Sequence, residues 1–143
     1  MYTVLVAVDA ERETARLAAE TVTNYPCAAE KVEATLLNVQ KEFRTPDEGA
    51  EVSSEEFYDE DEFPASVSVA QEILTEAGVS TTRRREHGAP AERIVAVADE
   101  LDADDIVIAN EKRSPAGKAL FGSVTQSVLL DTDRPVTVVS RDR

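Results

Sequence analysis

Apolar positions along this chain follow two alternating rhythms. Thr3-Val-Leu-Val-Ala-Val8 is an unbroken apolar run of strand length, the pattern of a strand covered on both faces. Over residues 11–24 the spacing becomes helical, with Ala15, Ala18, Val22 and Tyr25 on one side and Pro26 as the stop. Residues 32–39 return to a strand pattern through Leu36, Leu37 and Val39. Residues 40–63 read as an acidic loop; positions 47–62 carry nine carboxylates and no basic residue. Pro64 opens a second helix whose stripe is Val67, Ala70, Ile73, Leu74 and Ala77, and Gly78 ends it. Residues 80–86, with Arg83-Arg-Arg85, predict a polar strand at a sheet edge, where charge discourages pairing with another chain. Pro90 suits the first turn of a third helix carrying Ile94, Val97, Ala98 and Leu101 on one face. Residues 105–109 form an apolar strand, residues 122–130 a fourth helix, and residues 135–139 a last strand.

This order predicts an α/β fold. It is an open, doubly wound, five-stranded parallel sheet with helices on both faces and right-handed crossovers. Ligands in such sheets sit beyond the carboxyl ends of the strands, where strand order reverses. Here those ends are Val8-Asp9, Asn38-Val39 and Ala109-Asn110. The 143 residues fit one domain, 1–143, without an internal repeat.

Composition narrows the functional classes. The chain has 29 acidic residues against 15 basic ones, a net charge of −14. That argues against a nucleic-acid surface or an anionic membrane as partner. No apolar run reaches the roughly 18 residues of a membrane span, and no leader pattern precedes the first strand. One cysteine, Cys27, excludes an internal disulfide, so the expected setting is cytoplasmic. Lysine occurs at positions 31, 41, 112 and 118 alone. Acid-rich and lysine-poor, the composition resembles that of a haloarchaeal cytoplasmic protein; an ordinary acidic mesophilic protein is the other reading.

Residues 112–130 depart from this acidity. They contain no Asp or Glu, and they hold Lys112, Arg113 and Lys118 ahead of Gly122-Ser123, where a helix begins. A strand, a glycine-containing loop and a helix N-terminus together present backbone N–H groups to an anion such as phosphate. The other reading of the three cations is a solvated loop, or ion pairs to residues 47–62 worth about 0–1 kcal/mol each.

Four segments taken in order resemble the universal stress protein family over the full length. They are Val4-Leu-Val-Ala-Val-Asp9, Leu36-Leu-Asn-Val39, His87-Gly-Ala-Pro-Ala-Glu-Arg-Ile94, and the C-terminal half from Leu101-Asp-Ala-Asp-Asp-Ile-Val-Ile108 through Phe121-Gly-Ser-Val124 to Arg134-Pro-Val-Thr-Val-Val139. The resemblance implies an adenine nucleotide alpha hydrolase-like, Rossmann-like fold and a homodimer formed through the last strand, residues 135–139. It also implies a site for ATP or AMP, with Mg, drawn from Ala7, Val8, Asp9, Val39, Ala109, Lys112, Lys118, Gly122, Ser123, Val124 and Thr125. In the family's nucleotide-binding members the motif is Gly-x2-Gly-x9-Gly-[Ser/Thr]. Here Ala109 and Lys112 stand at its first two glycines, and Gly122-Ser123 keeps the final pair. Glu11 stands where those members tend to have Ser. Glycine permits positive φ and close approach to phosphates; a lysine obstructs the approach with its Cβ or meets the phosphate with its ammonium.

Individual residues keep two readings. Asp9 is a ligand contact to ribose or base, or a cap on the following helix; Val39 offers backbone to adenine, or simply ends a strand. Gly122-Ser123 is a phosphate cradle or an ordinary helix start. His87 stands alone and Cys27 has no partner, so neither a metal centre nor a nucleophile–base pair is indicated. The expected function is a stress-response module with an adenine-nucleotide site. Its rival is a dimeric interaction module with a vestigial pocket and an unknown protein partner.

Overall fold

A computed structural model of the chain describes residues 1–40, 63–111 and 122–141. The elements are β1 (Tyr2–Ala7), α1 (Arg12–Thr23), α2 (Ala28–Lys31), β2 (Val32–Gln40), α3 (Ala65–Glu76), β3 (Ser80–His87), α4 (Pro90–Leu101), β4 (Asp105–Glu111), α5 (Ser123–Asp131) and β5 (Val136–Arg141). All strand pairings are parallel, and the order is β3-β2-β1-β4-β5. The chain starts at the centre of the sheet, winds outward to β3, then returns across β1 to β4 and β5. The reversal therefore lies between β1 and β4.

The sheet separates two apolar layers. Val4, Val6, Leu36 and Val107 pack with Ala15, Ala18 and Val22 of α1 and with Val67, Ala70 and Leu74 of α3. Leu5, Leu37, Ile106 and Ile108 pack on the other face with Ile94, Val97 and Ala98 of α4 and with Val128 of α5. Consecutive residues of a strand face opposite ways, so a strand buried twice needs apolar residues without alternation. Val4, Leu5 and Val6 are each 0% exposed, as the unbroken run at the N-terminus predicted.

The helix ends follow from local chemistry. After α3, Gly78 has φ +83; its N–H donates to the Thr75 carbonyl, and Val79 N–H donates to the Leu74 carbonyl. This is a Schellman closure, and the left-handed residue favours glycine. A Cβ at Gly78 would also stand 3.1 Å from Ala29 Cβ. The same closure ends α4, with Asp102 at φ 53 and Ala103 N–H on the Ala98 carbonyl. There Arg134 holds the Asp102 carboxylate at 3.1 Å and the Ala103 carbonyl at 2.9 Å.

Most element ends move by one residue from the sequence reading, and three differences are larger or new. The short helix α2 was not expected; Cys27, at φ 56, starts it. β4 extends two residues past Ala109, which makes Asn110 a buried strand residue. β5 is shifted, starting one residue later than predicted and running to Arg141. Both polar and apolar edges lie where expected, β3 at one side and β5 at the other. The arginines of β3 are supported from the α3 side: Arg83 Nε donates to Gln71 at 2.6 Å, and the Arg83 and Arg85 guanidinium groups lie 5.2 and 5.1 Å from the Phe63 ring centre.

Candidate functional site

A cleft of about 540 Å³ opens at the carboxyl ends of β1, β2 and β4. Its position is the one the strand reversal dictates. Nine of the predicted site residues line it. Ala7, Val8 and Asp9 come from the end of β1, Val39 from β2, Ala109 from β4, and Gly122, Ser123, Val124 and Thr125 from the start of α5. Lys112 and Lys118, like Arg113 and the acidic stretch 47–62, lie outside the described residues.

Helix starts surround the opening. Glu11 before α1, Pro64 before α3, Pro90 of α4 and Gly122 before α5 all contribute to the lining. Each brings N–H groups without intrahelical partners and the positive end of a helix dipole. Apolar walls are supplied by Leu37, Ile94, Ile108 and Val124. Against these positive ends stand two carboxylates, Asp9 and Glu11, the charged side chains among the described lining residues.

Asp9 acts as a local clamp. Its Oδ1 accepts from Glu11 N–H at 2.9 Å and from Thr14 Oγ1 at 2.8 Å, while its carbonyl accepts from buried Ser66. The carboxylate thus orders the entry into α1 and remains exposed at the cleft. The N-cap of α1 is Glu11, and Asp9 bonds no amide within the helix, so Asp9 orders the approach to α1 rather than capping it; both bonds fall on one oxygen, which leaves the other to a ligand.

Backbone parity defines what Val39 offers. Val8 N–H donates to the Leu37 carbonyl at 2.9 Å, so Leu37 directs its backbone groups toward β1. In a parallel ladder, residues two apart point the same way, so Val39 also faces β1. β1 ends at Ala7, opposite Leu37, so the Val39 N–H and carbonyl project past its end into the cleft. Between them Asn38, 5% exposed, donates from Nδ2 to the Val8 carbonyl at 2.9 Å and ties the two strand ends together.

At α5 the backbone does not need glycine for its conformation. Gly122 has φ −65 and ψ 165, an ordinary extended geometry, and an added Cβ would meet Asn110 Oδ1 at 3.6 Å. Its N–H already donates to Asn110 Oδ1 at 3.0 Å, with Thr125 Oγ1 a long contact at 3.5 Å from the same oxygen. The cradle expected from Gly122-Ser123 is therefore partly filled by the protein itself. Sequence reasoning placed Asn38 and Asn110 at strand ends beside the site but gave neither a role. A polar residue inside an apolar strand is the signal that marks them, since burial requires a hydrogen-bond partner.

Among the described residues there is no group of three or more His, Cys, Asp or Glu side chains able to hold a metal ion, and no helix is long and apolar enough to cross a membrane. His87 is the half-buried last residue of β3, and Cys27 is exposed.

Known proteins provide the remaining observation. A universal stress protein from Archaeoglobus fulgidus superposes with a TM-score of 0.72 at 29% identity, covering 97% of this chain and 98% of its own. A universal stress protein in complex with cAMP superposes with a TM-score of 0.67 at 24% identity, covering 99% and 98%. A universal stress protein of Mycolicibacterium smegmatis is 39% identical over 67 residues, 46% of this chain and 52% of that protein, so the match spans about half the relative's length. The universal stress protein family profile matches residues 1–140. With that match added to the strand order and the cleft, the chain belongs to the universal stress protein family.

Proposed function

We propose that this chain is a stress-response module whose cleft binds an adenine nucleotide, ATP or AMP, with Mg accompanying the triphosphate. The observation that carries the reading is the convergence of four helix starts on a cleft of about 540 Å³ beside the outward-facing Val39 backbone. The volume lies in the range of small-molecule sites. In this reading the helix starts attract phosphate, the apolar walls hold the base, and Asp9 accepts from ribose hydroxyls. Lys112 and Lys118 are proposed as phosphate cations from their place in the sequence. The relative in complex with cAMP shares the fold; the ligand class for this chain is argued from its own cleft. In this reading the module works by binding.

Calorimetry in molar KCl with AMP, ATP and inorganic phosphate tests this. Heat of binding with an adenine nucleotide is expected, and no heat with any of the three would sink it. Two observations favour the rival interaction module: the Gly122 N–H is already taken by Asn110 Oδ1, and the mouth carboxylates Asp9 and Glu11 repel an anion. That rival predicts silence in the same titration. For either reading we propose one domain, a cytoplasmic setting, a salt-adapted surface and a homodimer through β5, without nucleic acid or membrane as partner.

A further inference from the structure

We propose that Asn110 limits how much phosphate the cleft accepts, so that its preferred ligand is a nucleoside monophosphate, open or cyclic, rather than a triphosphate. The inference rests on the nucleotide reading above and names the ligand class within it.

Asn110 is 7% exposed and sits on the last part of β4, directly below the start of α5. Its Oδ1 takes the Gly122 N–H, the amide of the α5 N-cap, at 3.0 Å. The side-chain oxygen does there what a phosphate oxygen would do. The amides of Ser123 and Val124 follow in the first turn, where no intrahelical acceptor exists. They and the exposed Ser123 hydroxyl suit a single phosphoryl group. Further phosphates would have to pass the mouth, where Asp9 and Glu11 are the described charges. Repulsion at such short range is screened less by salt than repulsion between distant surface charges. A site discriminates by unfavourable contacts as well as favourable ones, and among its described residues this cleft combines a withheld donor with two like charges.

The test is calorimetry with adenosine, AMP and ATP, without magnesium, on the wild-type chain, Asn110→Ala, Asn110→Ser and Glu11→Gln. The wild type should bind AMP about tenfold or more tighter than ATP, and tighter than adenosine, because one phosphate is accommodated and three are not. Asn110→Ala, which frees the Gly122 amide, should narrow the AMP-to-ATP ratio to about threefold. Asn110→Ser, a smaller disturbance of the buried site, should narrow it in the same direction. Glu11→Gln alters an exposed residue and should raise ATP affinity more than AMP affinity. ATP binding as tightly as AMP to the wild type overturns the proposal. So does adenosine matching AMP, or a ratio untouched by all three substitutions. No binding of any of the three to any variant instead overturns the nucleotide reading on which the proposal stands.

Discussion

Asp105, 3% exposed at the start of β4, is held by hydroxyls. Tyr25 Oη donates to Oδ2, and Thr137 Oγ1 lies 2.9 and 3.1 Å from the two carboxylate oxygens. Burial first, and then the hydrogen bond to Asp105, push the Tyr25 phenol well above its ordinary value of 10.0. A raised folded-state pKa contributes stability that is complete below the unfolded value and is lost as pH rises from there through the folded value. Tyr25→Phe should therefore flatten the alkaline limb of the stability curve. At neutral pH it should cost about 1.5–3 kcal/mol, since it strips a buried carboxylate of a donor. Urea titrations from neutral to alkaline pH measure both effects, and an unchanged midpoint together with an unchanged alkaline slope would remove Tyr25 from this role. In the sequence, Tyr25 extends the apolar stripe of α1, and that much is legible there. Its attachment across 80 residues to Asp105 is not, because nothing local couples the two. The same holds for Asn110, which reads as a loop residue until β4 is seen to continue beneath it.

Among elements, β5 carries the clearest consequence. Ile106 N–H donates to the Pro135 carbonyl, so odd residues of β5 direct their backbone groups to β4 and even residues direct them to the outer edge. The Val138 N–H thus faces outward. If the homodimer forms through this edge, Val138→Pro deletes an intermolecular donor while sparing the β4 ladder, a substitution an edge strand tolerates. Sedimentation should show dimers for the wild type and monomers for the variant, each with native circular dichroism. A variant that stays dimeric would move the interface elsewhere, for instance to exposed Leu130 on α5. Long elements were legible because period and length agree: twelve residues of α1, of α3 and of α4 each repeat their stripe several times. α2 was not, because four residues complete barely one turn and show no period.

At the scale of the whole molecule, charge dominates. The net charge of −14 repels itself in dilute buffer, and mobile ions screen that repulsion. The thermal midpoint should rise steadily as KCl increases from about 0.1 M to about 3 M, whereas an ordinary acidic protein would level off early. A flat or falling midpoint by calorimetry would remove the salt-adapted reading. The class of fold, the two edges, the apolar layers and the end of the sheet where the cleft opens were legible in the chain alone. These follow from period, length and order, which are properties of neighbours along the chain. Tertiary structure alone decided what the cleft is made of: the asparagine that fills an amide at α5, the strand end that leaves Val39 facing open space, and the four helix starts around one mouth. Those facts depend on residues far apart in sequence meeting at hydrogen-bond distance, and no local pattern encodes that distance.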